Sequence, residues 1–232
     1  VASHDLQEPL RKIRAFGDRL FNRYRAQLDG QGEDYIKRMQ SASMRMQTLI
    51  EDLLSYSRVS RSGEVFQPLD MDHILSEIRE DLDIQIKRES AIVKMGRIPG
   101  ITGDKMQIKR LFQNLINNAI KFHKPNDVPI VEVTGKLIKW HEIKRDFGIS
   151  PPDMVYVMIM VKDNGIGFDD KFSEKIFNIF QRLHGRAEYE GTGIGLAICR
   201  RIVNNHKGYI TAKSKENMGT EFIVILPLNQ TV

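Results

Sequence analysis

Two short glycine clusters dominate the sequence: Asp163-Asn164-Gly165-Ile166-Gly167 and Gly191-Thr192-Gly193-Ile194-Gly195-Leu196. Glycine lets the backbone approach a ligand closely and adopt positive φ without strain. The amide groups of such loops, especially where a helix begins, can receive phosphate oxygens. An aspartate beside the first cluster could accept a hydrogen bond from the edge of a base. These two stretches therefore indicate a nucleotide site.

An asparagine-rich helix precedes both clusters, with the sequence Asn114-Leu115-Ile116-Asn117-Asn118-Ala119-Ile120-Lys121-Phe122. Asn114, Asn118 and Lys121 recur at i, i+4 and i+7, so they share one face of the helix. An amide oxygen is a suitable hard ligand for Mg²⁺, and a lysine could neutralise phosphate charge. Without the glycine clusters, the same residues would also be typical of an ordinary exposed helix face, with Phe122 in the core.

Neither cluster fits a common phosphate-binding motif. The chain contains no G-x-x-x-x-G-K-[ST] sequence. The second cluster follows polar residues and not a strand, which argues against a dinucleotide fingerprint. The order of segments is more specific than any one of them: asparagine helix, strand, Asp-Gly loop, polar loop and glycine-rich helix start.

This order resembles the N, G1, F and G2 boxes of sensor histidine kinases, which belong to the Bergerat-fold (GHKL) ATP-binding superfamily. Residues 3–10 (SHDLQEPL) resemble the H box of that family, and their sequence is similar to the H box of phytochrome-type kinases. Residues 177–184 resemble the F box, and residues 219–222 resemble the last glycine box. The resemblance runs from the first residues nearly to the last.

The resemblance implies an ATP-dependent protein histidine kinase that requires Mg²⁺. His4 would accept the γ-phosphoryl group and pass it to an aspartate of a response-regulator receiver domain. Asp5 would orient the imidazole ring and receive its proton, because a neutral imidazole is needed for the attack. These two residues are the predicted catalytic pair.

The resemblance also assigns a set of nucleotide-binding residues. Asn118 would hold the metal, Lys121 would neutralise phosphate charge, and Phe122 would pack near the base. Asp163 would accept the adenine amino group. Arg182, in a predicted mobile lid over residues 169–191, could steady the γ-phosphate or could simply be solvated. The complete predicted set is Asn114, Asn118, Lys121, Phe122, Asp163, Gly165, Gly167, Arg182, Gly191, Thr192, Gly193, Gly195 and Leu196.

The first 60 residues predict a helical hairpin interrupted at Asp29-Gly30-Gln31-Gly32. Apolar residues recur in steps of three and four along both helices, which is a heptad pattern. Two such seams leave more apolar surface than one hairpin can bury, so we expect a homodimer with a four-helix bundle. Packing of the hairpin onto its own downstream domain remains an alternative. The seams consist of Leu6, Leu10, Ile13, Gly17, Leu20 and Tyr24, then Tyr35, Met39, Ala42, Met46, Leu49, Leu53 and Tyr56.

The predicted fold class is α+β, with the hairpin in residues 1–62 and an α/β-sandwich ATP-binding domain in residues 63–232. A helix is predicted over residues 70–87, a strand over 91–95, and a helix that begins at Asp104. Two strands, over 130–140 and 154–162, would be joined by a polar loop at 144–153. A helix over 192–205 and a hairpin of strands 209–213 and 220–226 would close the domain.

Composition sets limits on function and location. The single cysteine, Cys199, excludes an internal disulfide and is predicted to be a small apolar residue on a helix face, in preference to a reactive thiol. The longest apolar run, residues 155–161, is too short to span a bilayer, and no signal peptide is found. With a net charge of +5 and no aromatic-basic patch, we expect no nucleic-acid partner and no membrane contact by this fragment. We expect a cytoplasmic fragment, and a membrane anchor upstream in the full-length protein stays open.

Two other interpretations remain open. One is a degenerate kinase that dimerises and scaffolds without transferring phosphate. The other is a different Bergerat-fold ATPase, such as a gyrase, chaperone or mismatch-repair relative. Those proteins lack an H-box hairpin directly before the nucleotide domain, so stable phosphate on His4 separates the classes.

Overall fold

The computed structural model describes residues 2–58, 66–183 and 191–229, with side chains in the first range described from Leu6 to Ser57. The chain begins with two antiparallel helices, α1 (Ala2–Tyr24) and α2 (Gly30–Arg58), joined by a short 3₁₀ turn at Arg25–Gln27. The predicted hairpin is therefore confirmed. The break lies a few residues earlier than expected, because α2 already begins at Gly30, where the Asp29 carboxylate accepts a hydrogen bond from the Gly32 N–H at 2.7 Å.

The domain that follows the hairpin is built on a five-stranded sheet with the order β2-β4-β5-β7-β6. Strand β2 pairs with β4 in parallel, and the other neighbours are antiparallel. Strands β1 and β3, which the sequence did not predict, form a small separate antiparallel pair. The strands are β1 (Gln67–Leu69), β2 (Ile92–Met95), β3 (Ile101–Gly103), β4 (Ile130–Lys139), β5 (Val155–Asp163), β6 (Tyr209–Lys215) and β7 (Gly219–Pro227).

Helices cover both faces of this sheet. One face packs against α3 (Met71–Asp81), α5 (Lys105–Lys121) and α7 (Gly195–Asn205), which together form the large core. The short helix α4 (Asp83–Arg88) follows α3 after a break at Leu82, so the single helix predicted for residues 70–87 is two helices. Helix α7 begins three residues later than predicted. The α/β-sandwich expectation is confirmed.

The second face of the sheet carries a smaller core under helix α6 (Trp140–Phe147). Ile143 is fully buried there, and Trp140 and Phe147 pack beside it at helical spacing. The expectation of a polar loop over residues 144–153 is wrong for residues 144–147, which belong to this helix. The exposed face of this helix is charged, and a stripe of three apolar residues is too short to reveal its period by itself.

The start of α5 follows its sequence signals. Asp104 caps the helix by accepting hydrogen bonds from the N–H groups of Met106 and Gln107 at 2.8 and 3.1 Å. The apolar face of α5 is completely buried, so the helix is held firmly against the sheet. Its polar face is consequently fixed in direction, which is what a binding site requires.

Candidate nucleotide-binding site

Asp163 ends β5 and is 8% exposed. Its Oδ1 accepts hydrogen bonds from the backbone N–H groups of Gly165 at 2.8 Å and Thr220 at 3.0 Å. No described residue donates to Oδ2. Burial raises the pKa of Asp163 to about 6, and the two backbone hydrogen bonds oppose that rise. One carboxylate oxygen is therefore fixed, and the other is left for a donor such as an exocyclic amine.

The glycines around Asp163 are required by close backbone packing. A Cβ at Gly165 would collide with the carbonyl oxygen of Phe122, the residue that ends α5. The N–H of Ile166 donates to the same carbonyl at 2.9 Å. Gly219 has φ of +89°, and a Cβ there would collide with the backbone oxygen of Asp163. The first glycine cluster, the end of α5 and the start of β7 therefore form one rigid unit.

Asn164 was not among the predicted site residues, and it has a structural role. Its side-chain oxygen accepts from the N–H of Ile130 at 2.8 Å, and its Nδ2 donates to the carbonyl of Val128 at 3.0 Å. These bonds attach the first glycine cluster to the beginning of β4. An asparagine directly after a strand was the only signal in the sequence that could have suggested this.

The polar face of α5 lies next to the second glycine cluster. A Cβ placed on Gly191 would lie 3.0 Å from Nζ of Lys121, and one on Gly195 would lie 3.7 Å from Oδ1 of Asn114. Nδ2 of Asn114 is buried without a hydrogen-bond partner among the described residues. Asn118 lies between them on this half-buried face. The structure thus brings together two segments about 70 residues apart in sequence.

The second cluster is shaped by contacts with the F-box segment. The N–H of Phe180 donates to the carbonyl of Gly193 at 3.0 Å, and Nη1 of Arg182 donates to the carbonyl of Gly191 at 2.7 Å. Gly193 has φ of +73°. Leu196 lies in the first turn of α7 and packs partly against the large core. Arg182 therefore contacts the predicted phosphate loop directly.

The predicted lid is too long at its beginning. Ile176 and Phe177 are 6% and 3% exposed, and the Phe177 ring contacts the Phe222 ring edge-on at 6.4 Å between centroids. These residues are part of the large core. Residues 184–190, which include the end of the predicted F box, lie outside the described residues.

The remaining predicted positions divide into two groups. Phe122 is half-buried, with Nζ of Lys121 4.6 Å from its ring centroid, and Gly167 has φ of +58° in the first cluster. The predicted catalytic pair, His4 and Asp5, belongs to helix α1, but their side chains lie outside the described residues. The geometry of phosphoryl acceptance at His4 therefore stays a prediction.

Cys199 fits the structural expectation. It is fully buried, its thiol donates to the carbonyl of Leu111 at 3.7 Å, and burial raises its pKa to about 12. Such a thiol is unreactive at neutral pH. Within the described ranges, we find no group of three His, Cys, Asp or Glu side chains suited to a metal ion, and no helix long and apolar enough to cross a membrane.

Comparisons with known proteins identify the family of the chain. Residues 103–230 match the family of histidine kinase-, DNA gyrase B- and HSP90-like ATPases, and residues 1–62 match the His Kinase A (phospho-acceptor) domain. The chain is 36% identical over 228 residues to the phytochrome-like protein Cph1 of Synechocystis sp., and 36% identical over 230 residues to cyanobacterial phytochrome A of Nostoc sp.. Each match covers 98% of this chain and 28% of the relative, so the chain spans little more than a quarter of either protein.

A solved structure supports the fold over the whole chain. Full-length ShkA in complex with AMPPNP superposes with a TM-score of 0.71 at 20% identity, covering 100% of this chain and 45% of that one. The chain belongs to the histidine kinase-, DNA gyrase B- and HSP90-like ATPase family and, with its phospho-acceptor region, to the sensor histidine kinases. Its resemblance to phytochrome-type kinases is confirmed by the two cyanobacterial relatives.

Proposed function

We propose that this chain is the kinase core of a two-component system, which phosphorylates His4 from ATP and passes the phosphoryl group to an aspartate of a receiver domain. The observation that carries the proposal is the closeness of Lys121 Nζ to Gly191. This short distance places the polar face of α5 beside the second glycine cluster. One site then has an acidic end at Asp163 and a cationic end at Lys121, as a nucleotide requires.

The proposed roles follow from this polarity. The free oxygen of Asp163 would accept a hydrogen bond from the adenine amino group, with Phe122 near the base and Gly165 and Gly167 beneath it. The amides of the second cluster and the start of α7 would receive phosphate oxygens. Lys121 and Arg182 would offset the phosphate charge, since both already contact or approach Gly191.

We propose Mg²⁺ as the metal and Asn118 as its protein ligand. The residues fit this ion because Mg²⁺ prefers hard oxygen ligands and keeps several ligands as water and phosphate oxygen. The side chain of Asn118 makes no hydrogen bond to another described residue, so its amide oxygen is available. Bound there, the ion would draw charge from the phosphates; Asn118 contributes one ligand and its position on α5.

The proposed transfer is a simple displacement at phosphorus. A ring nitrogen of neutral His4 forms a bond to the γ-phosphorus, the bond from that phosphorus to the bridging oxygen breaks, and ADP leaves with the electron pair. The imidazole then loses the proton on its other nitrogen, which Asp5 receives. The product is a phosphoramidate that a receiver aspartate could accept.

Partners and boundaries belong to the same proposal. Exposed apolar side chains on the hairpin support a homodimer; they are Leu6, Ile13, Phe16 and Leu20 on α1 and Met39, Met46 and Leu53 on α2. The division at residues 62 and 63 is supported by the end of α2 at Arg58 and the start of β1 at Gln67. A cytoplasmic location and a response-regulator partner complete the proposal.

The test is incubation of the chain with γ-labelled ATP and Mg²⁺, followed by treatment of the product with acid and with base. We expect label that is lost in acid and kept in base, present in wild type and in His73→Gln, and absent in His4→Gln. His73 is an exposed histidine on α3 and serves as the matched control. Label retained in His4→Gln would exclude His4 as the sole acceptor, and ATP binding without any label would favour the scaffold alternative.

A further inference from the structure

The carboxylate of Asp52, on α2, binds the second glycine cluster of the ATP-binding domain. Its Oδ2 accepts a hydrogen bond from the hydroxyl of Thr192 at 2.6 Å, and its Oδ1 accepts from Nη2 of Arg110 at 3.3 Å. The Asp52 side chain is only 22% exposed. Both oxygens of a hairpin residue are therefore committed to the other domain.

Neighbouring residues of α2 make this a packed interface. Leu49 and Tyr56 lie one turn either side of Asp52 on the same face and pack against the large core of the ATP-binding domain. The guanidinium of Arg201, on α7, lies 5.0 Å from the centroid of the Tyr56 ring. Asp52 is the carboxylate in a contact that also contains two arginine side chains, Arg110 and Arg201, and the apolar and aromatic groups of Leu49 and Tyr56.

Thr192 connects Asp52 to the start of α7. The single proton of its hydroxyl goes to Asp52, and the same oxygen accepts from the N–H of Ile194 at 3.3 Å, just before the helix begins at Gly195. The positive end of a helix attracts anions. Asp52 thus places a negative charge beside the loop and helix start that would receive the phosphates.

We propose that Asp52 is a positioning residue that holds the second glycine cluster on the hairpin and competes with the nucleotide phosphates for this end of the site. The proposal rests on the proposed function, since it assigns the phosphates to the second cluster. Negative charge arriving with ATP repels the Asp52 carboxylate and weakens its contact with Thr192. By thermodynamic reciprocity, the contact weakens ATP binding by the same factor.

The position of Asp52 along the hairpin gives the contact its relevance. Ser43 lies beside Leu10, where its hydroxyl donates to the Leu10 carbonyl at 3.1 Å. Asp52 follows Ser43 by nine residues along α2, which is about 13 Å at the usual helical rise. His4 precedes Leu10 by six residues along α1, which is about 9 Å in the same direction because the two helices are antiparallel. Asp52 and His4 therefore lie at the same end of the hairpin, so the contact holds the phosphate loop near the level of the phosphoacceptor.

The test compares nucleotide affinities of wild type, Asp52→Asn and Glu51→Gln by calorimetry. Asparagine at position 52 keeps the shape of the side chain and one acceptor oxygen but removes the negative charge. Glu51 is the control, because it is an exposed neighbour that pairs only with Gln47 among the described residues. Its substitution removes one negative charge from α2 without affecting the contact with Thr192. We expect Asp52→Asn to tighten ATP binding by about threefold to tenfold, ADP less, and adenosine not at all. Glu51→Gln should leave all three unchanged.

A distance measurement tests the contact itself. Spin labels at Met44→Cys and Met106→Cys, both on exposed side chains, in dimers formed with an excess of unlabelled chain, report the separation of α2 from the ATP-binding domain within one protomer. We expect a single distance in wild type without nucleotide, a broader distribution with ATP, and a broad distribution in Asp52→Asn at all times. Wild type that binds no nucleotide would overturn the proposed function and this coupling together. Two outcomes would overturn the coupling alone, in a chain that does bind ATP. Either Asp52→Asn and Glu51→Gln change the ATP affinity equally, or Asp52→Asn changes the affinities for adenosine and ATP equally.

Discussion

The backbone N–H of Asp104 donates a hydrogen bond to Nε2 of His206 at 3.1 Å, which ties the start of α5 to the end of α7. The other ring nitrogen, Nδ1, donates to the carbonyl of Ile202 at 2.8 Å. The imidazole is fully buried, with the ring of Phe66 edge-on at 4.9 Å. Both helices that carry predicted nucleotide contacts are thus joined through one neutral histidine.

We expect this histidine to make folding less favourable in acid. Burial lowers the pKa of His206, although the Ile202 carbonyl and the Asp104 charge oppose that change. The unfolded chain then binds more protons just below pH 6.5, so the free energy of unfolding falls as the pH drops through that range. In denaturant titrations at pH 7.5 and 5.5, His206→Gln should lose less stability on acidification than wild type. His141→Gln, an exposed control, should behave as wild type does; equal losses in all three chains would contradict the prediction.

Asp163→Asn should separate stability from binding. The pKa of about 6 means that ionised Asp163 reduces folding stability as the pH rises from about 4 through 6. Asparagine keeps the Oδ1 acceptor, so at pH 7.5 the free energy of unfolding should be unchanged or higher, by up to about 3 kcal/mol. ATP affinity should fall by about 1–3 kcal/mol, because the new amide faces the adenine amino group donor to donor. Calorimetry with ATP and chemical denaturation measure the two quantities.

The control for that change is Asp127→Asn, an exposed carboxylate outside the site, which should alter neither quantity. Amide resonances give a second check. The signals of Gly165 and Thr220, which bind Oδ1, should shift with a shared midpoint near pH 6 in wild type. A midpoint near pH 4 would show that burial does not act on Asp163 as described.

Gly165→Ala should destabilise the ATP-binding domain. The added methyl group collides with the Phe122 carbonyl and displaces the hydrogen bond from Ile166. We expect a loss of about 2 kcal/mol or more in the free energy of unfolding, together with loss of ATP binding. Gly30→Ala is the matched control, because a Cβ there meets no atom within 4 Å. Similar stabilities for the two variants would show that the packing around residue 165 does not require glycine.

The dimer should depend on only part of the predicted seam. Met46 and Leu53 are 49% and 48% exposed, whereas Leu49 and Tyr56 are used against the ATP-binding domain. The double change Met46→Glu with Leu53→Glu should therefore give a folded monomer in light scattering, since it would bury charges in a bundle. Met106→Glu, at an exposed position on α5, should remain dimeric. An unchanged dimer in the double variant would place the interface elsewhere.

The sequence predicts those residues of the proposed site that a local sequence pattern identifies. Asn114, Asn118 and Lys121 follow from helical spacing, and Asp163 follows from its place between a strand and a glycine cluster. Thr192 and Asp52 are 140 residues apart, and no local pattern relates them. The sequence could not distinguish the packing of Leu49 from that of Leu53. A heptad pattern identifies an apolar seam, but it does not show which partner surface packs against each turn of the helix. Leu49 and Tyr56 of the seam pack on the chain's own domain, as the alternative held, whereas Met46 and Leu53 stay exposed and the homodimer stays a prediction.

Helix α6 gives the protein a built-in optical probe. Trp140, the only tryptophan in the chain, lies on the second face of the sheet in the smaller core, whereas α5 and α7 lie on the first. Its emission will follow the melting of that layer and the water that enters beneath it. Nucleotide binding at the proposed site, on the other face of the sheet, should leave the spectrum nearly unchanged. Intrinsic fluorescence can therefore monitor unfolding of the ATP-binding domain at any level of ligand saturation.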